Sequence, residues 1–220
     1  MNEDKTEEFE VTRKGNTDWR NCKLLGSLLG NTEDIKRRKQ LASAAFASNK
    51  KVLCSKEISL RIRIRVFVAL ISSVFLYNSE LWILSSKETK KIDTFQRSFL
   101  RQITRTRYIS NKRLYKTCGV EPWSKTIKRQ RLTWFGHLIR LPNSAPAKKA
   151  LAEARKPYKK LRGGQPLSWL KTIAKDFNTN IKNIQKYMKI AYNRKQYAVL
   201  VDSVMSQATY PSSTESESED

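Results

Sequence analysis

The stretch 131–142, R-L-T-W-F-G-H-L-I-R-L-P, brings together groups able to hold a phosphate. On a helix begun near Trp123, Arg129, Thr133, Gly136 and Arg140 share one side, with His137, the chain's single histidine, at its edge. Ile127, Trp134, Phe135, Leu138 and Leu141 share the apolar side. A glycine inside a helix costs roughly 1 kcal/mol against alanine, so Gly136 is expected to mark a close approach by another group. With arginines beside it, a phosphate backbone fits that description. A core helix with a solvated basic back fits the same spacing, and spacing alone leaves both readings open.

Two further basic runs invite the same chemistry. Lys36, Arg37, Arg38 and Lys39 are consecutive, so on a helix they point around most of its circumference and some must face solvent or phosphate. Nucleic-acid contact, a nuclear import signal and a plain solvated surface are the three readings of that run. Residues 155–162 read R-K-P-Y-K-K-L-R and lead into Gly163 and Gly164. There Arg155, Lys156, Lys159, Lys160 and Arg162 suit a loop that wraps phosphates, with Tyr158 available to stack on a base. A disordered charged linker is the competing reading.

Composition favours a polyanionic partner. The 220 residues carry 44 basic and 20 acidic side chains, for a net charge of +24. Five of the acids lie in residues 1–10 and four in 212–220, which concentrates the positive surplus between them. Such a field attracts RNA, DNA or an anionic membrane surface. Cys22, Cys54 and Cys118 are odd in number and form no C-x-x-C pair, so free thiols in a reducing compartment are expected. No metal site, cofactor or small-molecule substrate is expected, and no catalytic constellation is assembled from one histidine and scattered acids. The acidic start is unlike a signal peptide. The most apolar run, Val66 to Leu84, contains Asn78 and Glu80 and reads as a buried helix rather than a bilayer span. A nuclear or cytoplasmic, non-secreted protein is the expectation.

The elements that must position these groups are helical. Leu24, Leu25, Leu28 and Leu29 flank Gly26 and Ser27, which predicts a short hairpin or turn, and a stub of strand is expected near Phe9 to Thr12. Asn31 or Thr32, followed by Glu33 and Asp34, predicts a helix to about Ser48. A long central helix is expected over 56–78 and a third, capped by Ser85 or Ser86, over 88–105. A short helix follows over 111–118, closed by Gly119. Pro122 is expected to open the helix that carries Arg129 and Arg140, with Pro142 and Pro146 ending it. Further helices are predicted over 166–177, 180–190 and 193–205. The tails, including S-S-T-E-S-E-S-E-D, read as disordered. The fold class is therefore all-α, a helical bundle followed by a smaller helical domain. Its expected divisions are 1–18, 19–107, 108–205 and 206–220.

W-F-G-H-L-I-R-L-P resembles the W-x-G-H-x-x-R-x sequence found downstream of the polymerase domain in non-LTR, LINE-like retrotransposon reverse transcriptases. Lys23 to Ser27 (K-L-L-G-S) is similar to that family's Y-L-G-S, and Tyr77 to Trp82 (Y-N-S-E-L-W) to its Y-G-S-E-x-W, with Asn78 where glycine is usual. Gly163 to Trp169 (G-G-Q-P-L-S-W) resembles G-R-P-x-x-x-W, with Gln165 in the arginine slot. The last predicted helix resembles A-x-D-R-x-x-W, with Asn193 and Tyr197 in place of the acid and the tryptophan. The resemblance implies a thumb-like bundle and downstream domain that grip an RNA template or RNA–DNA duplex. Such enzymes place their metal-binding carboxylates in Y-x-D-D, and no D-D pair occurs here, so this piece is not expected to catalyse polymerisation alone. The alternative is a co-opted or decayed non-enzymatic interaction protein derived from such an element.

Overall fold

The computed structural model describes residues 18–155 and 168–207. The expected stub near Phe9 to Thr12 lies outside them. The architecture is mostly helical, with one two-stranded hairpin, β1 (Lys23–Leu24) and β2 (Ser27–Leu28), after a 3-10 turn at Asp18–Asn21. Leu25 and Gly26 both have positive φ, +47° and +85°, the backbone that a two-residue hairpin loop demands.

Helix α1 (Asn31–Ser48) has the predicted bounds, and a short α2 (Lys50–Leu53) follows. The long central helix starts later than expected, as α3 (Leu60–Val66), and passes through a π-helical stretch, Phe67–Ser72, into α4 (Ser73–Leu76). The wider π turn coincides with Ser72 being buried, where its Oγ accepts the Trp123 indole N–H at 3.1 Å. The segment read as a buried helix is buried along one side: Phe67, Ile71 and Phe75 are inside, while Val68 and Leu70 are exposed. Among the described residues no helix is long and apolar enough to cross a membrane.

Ser85 caps α5 (Ser86–Thr104) through a reciprocal exchange with Glu88, two local groups satisfying helix-end N–H donors. Ser110 caps α6 (Asn111–Cys118), and Gly119 closes it in the left-handed conformation. Then comes α7 (Trp123–Arg140). Pro142 follows its end, but Pro146 does not terminate it. Instead Pro146 opens an unpredicted α8 (Pro146–Ala154), where its missing N–H costs nothing. The chain finishes with α9 (Trp169–Asp176), a 3-10 turn at Ile181–Asn183, α10 (Ile184–Ala191) and α11 (Arg194–Gln207).

Two compact units result, Met1–Ile127 and Lys128–Asp220. The expected boundary at 107/108 is therefore corrected, and the reason is packing. Leu114, Tyr115, Cys118, Trp123 and Ile127 belong to the first core, with Phe46, Phe67, Phe75 and Phe99. Trp123 stacks on Phe75 with centroids 4.3 Å apart, and Phe46 on Phe99 at 4.6 Å. Each such buried aromatic contributes roughly 1.5–3 kcal/mol by area alone. Buried Gln96 ties α5 to the start of α7: its Oε1 accepts the Trp123 N–H at 2.7 Å and its Nε2 donates to the Glu121 carbonyl at 3.0 Å. Burial also pushes the Cys118 thiol up to about 11, so it stays a protonated packing group. The second core gathers Leu132, Phe135, Ile139, Leu170, Ile173, Phe177, Tyr197 and Val201.

Candidate nucleic-acid interface

The basic run of α1 is divided by the fold. Lys36 is exposed, but Arg38 is 6% exposed and Arg37 half-buried. Both guanidinium groups donate to one acceptor, the Gly26 carbonyl at the hairpin tip, at 2.7 Å from Arg37 and 2.6 Å from Arg38. Arg38 also donates to Ser27 Oγ at 3.0 Å and lies over the Tyr77 ring. Its Nε is 3.8 Å from Asp34, whose carboxylate accepts the Leu28 N–H and the Trp82 indole N–H, each at 2.9 Å. Burial lowers the Arg38 pKa, and Asp34 opposes that shift. The Lys39 ammonium sits 5.8 Å from the Phe95 ring centroid. Arg38 is thus corrected from a phosphate contact to an internal brace. A buried guanidinium must be paired because desolvating it unpaired costs several kcal/mol.

The same junction accounts for two of the family-like motifs. Tyr77 donates its hydroxyl to the Leu25 carbonyl at 2.7 Å, and the Asn78 amide donates to Ser27 Oγ at 3.2 Å. Asn78 has φ +62°, the left-handed region that glycine enters freely and asparagine next most readily. K-L-L-G-S and Y-N-S-E-L-W are therefore two sides of one hydrogen-bonded clamp on the hairpin.

On α7 the close approach at Gly136 is real, but the visitor is a side chain. A Cβ built at Gly136 would lie 2.2 Å from the Tyr197 ring. Tyr197, buried in α11, donates its hydroxyl to the Leu132 carbonyl at 2.6 Å, and burial raises its pKa. Gly136 is consequently removed from the candidate phosphate contacts. Its neighbours on that face are also engaged: Arg129 pairs with Asp202 at 2.9 Å, and Arg140 donates to the Ala191 carbonyl at 2.8 Å. Thr133 and His137 are exposed, His137 stacked against Trp134. Arg131, which the spacing did not single out, is buried and donates to Asp176 at 2.6 Å. Asn193, standing where the family has an acid, accepts the N–H groups of Lys195 and Gln196 at 3.1 Å and caps α11 as an aspartate would. Arg155 is exposed after α8, while Lys156, Tyr158, Lys159, Lys160 and Arg162 lie outside the described residues.

Free cations collect elsewhere in the first unit, where the C-terminal end of α5 meets α3 and α6. Segments 50–65 and 102–118 carry eleven basic side chains against one acid, Glu57. Three arginines here act as brackets. Arg63 donates to the Ile58 and Ile103 carbonyls, and Arg105 to that of Cys54. Arg101 forks onto the Arg107 carbonyl at 2.9 Å, the Ile109 carbonyl at 3.1 Å and the Asn111 side chain at 3.0 Å. The loop so held projects Arg107 and Tyr108 into solvent. On the adjoining helix Lys112, Arg113 and Lys116 line an open depression of about 600 Å³ with Ser110 and Thr117. No side chain among the described residues pairs with these three cations.

No family model, curated protein or solved structure matches this chain.

The surface at α6 was not picked out from the sequence, although its signal was present. R-T-R-Y-I-S-N-K-R interleaves basic residues with a tyrosine, as 155–162 does, and the spacing 112, 113, 116 is one helical face. Among the described residues no three His, Cys, Asp or Glu side chains come together as metal ligands would.

Proposed function

We propose that the chain is a nucleic-acid-binding piece of a LINE-like reverse transcriptase, gripping an RNA template or RNA–DNA hybrid while another part of the polymerase carries the chemistry. The observation that supports this reading best is the cationic surface of Arg107, Lys112, Arg113 and Lys116, exposed and without an acidic partner among the described residues. Phosphates docking there would release condensed counterions, so affinity would fall steeply with salt. The ordered motifs support the family reading, and the cationic surface supports the grip. The test is a shift assay on the purified chain with RNA and with RNA–DNA hybrid. Sub-micromolar binding at low salt is expected, and absence of any complex at about 50 mM salt would remove this reading.

A second reading, a non-enzymatic interaction protein derived from such an element, is favoured by a different observation. The hairpin exposes apolar side chains, Leu25 at 84% and Leu24 at 59%, with exposed Leu29 at its end and Tyr77 bonded to its tip, a grouping that invites a protein partner. An upstream reading frame encoding Y-x-D-D favours the first proposal; an isolated gene with its own promoter favours the second.

A further inference from the structure

Tyr108 stands apart from every other aromatic residue described. It is 97% exposed, whereas Tyr192, the next most open, is 63% exposed. A fully hydrated phenol ring gains nothing for stability, since it buries no apolar area. Yet the backbone that carries it is held at several points. Arg101 binds the carbonyls on either side of Tyr108, those of Arg107 and Ile109. Thr104 and Thr106 hydroxyls meet at 2.7 Å before it, and the Ser110 cap fixes the chain after it. A ring carried on a fixed backbone loses less conformational entropy when something stacks on it. On either side in sequence lie exposed cations, Arg107 before it and Lys112, Arg113 and Lys116 after it.

We infer that Tyr108 is a stacking platform for an unpaired base, with Arg107 and the α6 cations holding the flanking phosphates of a single strand. The inference rests on the nucleic-acid reading and narrows it to a strand class. In a duplex the base faces are already covered by their neighbours, so an exposed ring finds a partner only where a strand is unpaired or frayed. A strand threaded along α6 satisfies both groups at once: the phosphates meet the cations, and a base turned towards the loop meets the ring.

The experiment measures dissociation constants of the full chain by anisotropy for a short unstructured single strand and for a blunt RNA–DNA hybrid. Wild type is compared with Y108A, Y108W and the triple variant K112E/R113E/K116E. Because Tyr108 is exposed, its substitution is expected to leave helicity and thermal midpoint unchanged, which circular dichroism checks. Y108A should lose about tenfold on the single strand and little on the hybrid, given the usual contribution of one base–aromatic stack. Y108W should retain wild-type affinity and show tryptophan quenching on binding. Equal losses on both substrates, or none on either, overturn the stacking role. If the triple variant still weakens binding in that case, the general nucleic-acid proposal stands without it. If wild type binds neither substrate, both fall.

Discussion

The arginines of α7 and the loop-and-helix surface around Tyr108 and α6 carry similar numbers of cations and put them to opposite uses. On α7 the guanidinium groups are engaged by the protein itself, Arg129 by Asp202, Arg131 by Asp176 and Arg140 by the Ala191 carbonyl. Around α6, Arg101 and Arg105 are engaged in the same way, but their contacts hold a backbone that leaves Arg107, Lys112, Arg113 and Lys116 in water. Arginine, with five donors in a planar fork, suits bracing carbonyls and carboxylates. A count of positive charge therefore overstates what is available to a phosphate, and what lies across the fold decides the difference.

The sharpest way to break this comparison is at the most committed arginine. Arg131→Met should destabilise the second unit by about 3–5 kcal/mol, because it strands the Asp176 carboxylate in a largely buried site. Urea unfolding measures it. A loss under about 0.5 kcal/mol, the usual range for surface changes, would show that the Arg131–Asp176 pair does not brace the second unit.

Gly136→Ala comes next. The added methyl would meet the Tyr197 ring, and overpacking of this kind costs about 1–3 kcal/mol. The midpoint of unfolding should fall while affinity for nucleic acid, measured well below that midpoint, stays the same. The reverse outcome, weaker binding at an unchanged midpoint, would restore the phosphate reading of that glycine.

Charge reversal at Lys112, Arg113 and Lys116 tests the other side of the comparison. Affinity should drop at least about tenfold, roughly 1.4 kcal/mol, and the slope against salt should flatten by roughly 0.7–0.9 for each phosphate no longer neutralised. Arg140→Ala, whose partner is a carbonyl, should change affinity less than about twofold, or about 0.4 kcal/mol. Equal effects from the two would erase the distinction between braced and available cations.

How much of this was legible depended on sequence range. Ser85 with Glu88, Ser110 and Gly119 announce helix ends through contacts within a few residues, and those ends are where the sequence put them. The all-α class followed from the same local signals. The division between units was not legible, because α7 is one uninterrupted helix whose first residues belong to one core and whose later residues to another. Pro146 was misread for a related reason: a proline ends a helix or begins one depending on the backbone before it, and here Ala145 is extended. The candidate site suffered most. Arg38 meets a hairpin, Arg129 meets Asp202 and Gly136 meets Tyr197, and only the last two partners are more than sixty positions away in sequence. Arg107 and Tyr108 stand in a basic, tyrosine-bearing run that the sequence displays, but that their backbone is held in place is visible only once Arg101 is seen bonding their loop.

The smallest predicted effect decides how absolute the contrast is. Arg129 is the least committed of the α7 arginines, since its side chain is 44% exposed and that of Asp202 is 68% exposed. An exposed pair of this kind contributes about 0–1 kcal/mol, weak enough for a polyanionic backbone reaching the same guanidinium to compete with it. Asp202→Asn should cost under about 0.5 kcal/mol in urea unfolding, and it removes a negative charge from beside the guanidinium. If the α7 face is truly set aside for packing, affinity for single strand and hybrid should stay within about twofold of wild type, or about 0.4 kcal/mol. A larger gain that vanishes on adding Arg129→Ala would mean that α7 keeps one cation in reserve, held by an exchangeable carboxylate. The two surfaces would then differ in how readily each releases its cations, with Asp202 setting the threshold on one and no acid among the described residues setting it on the other.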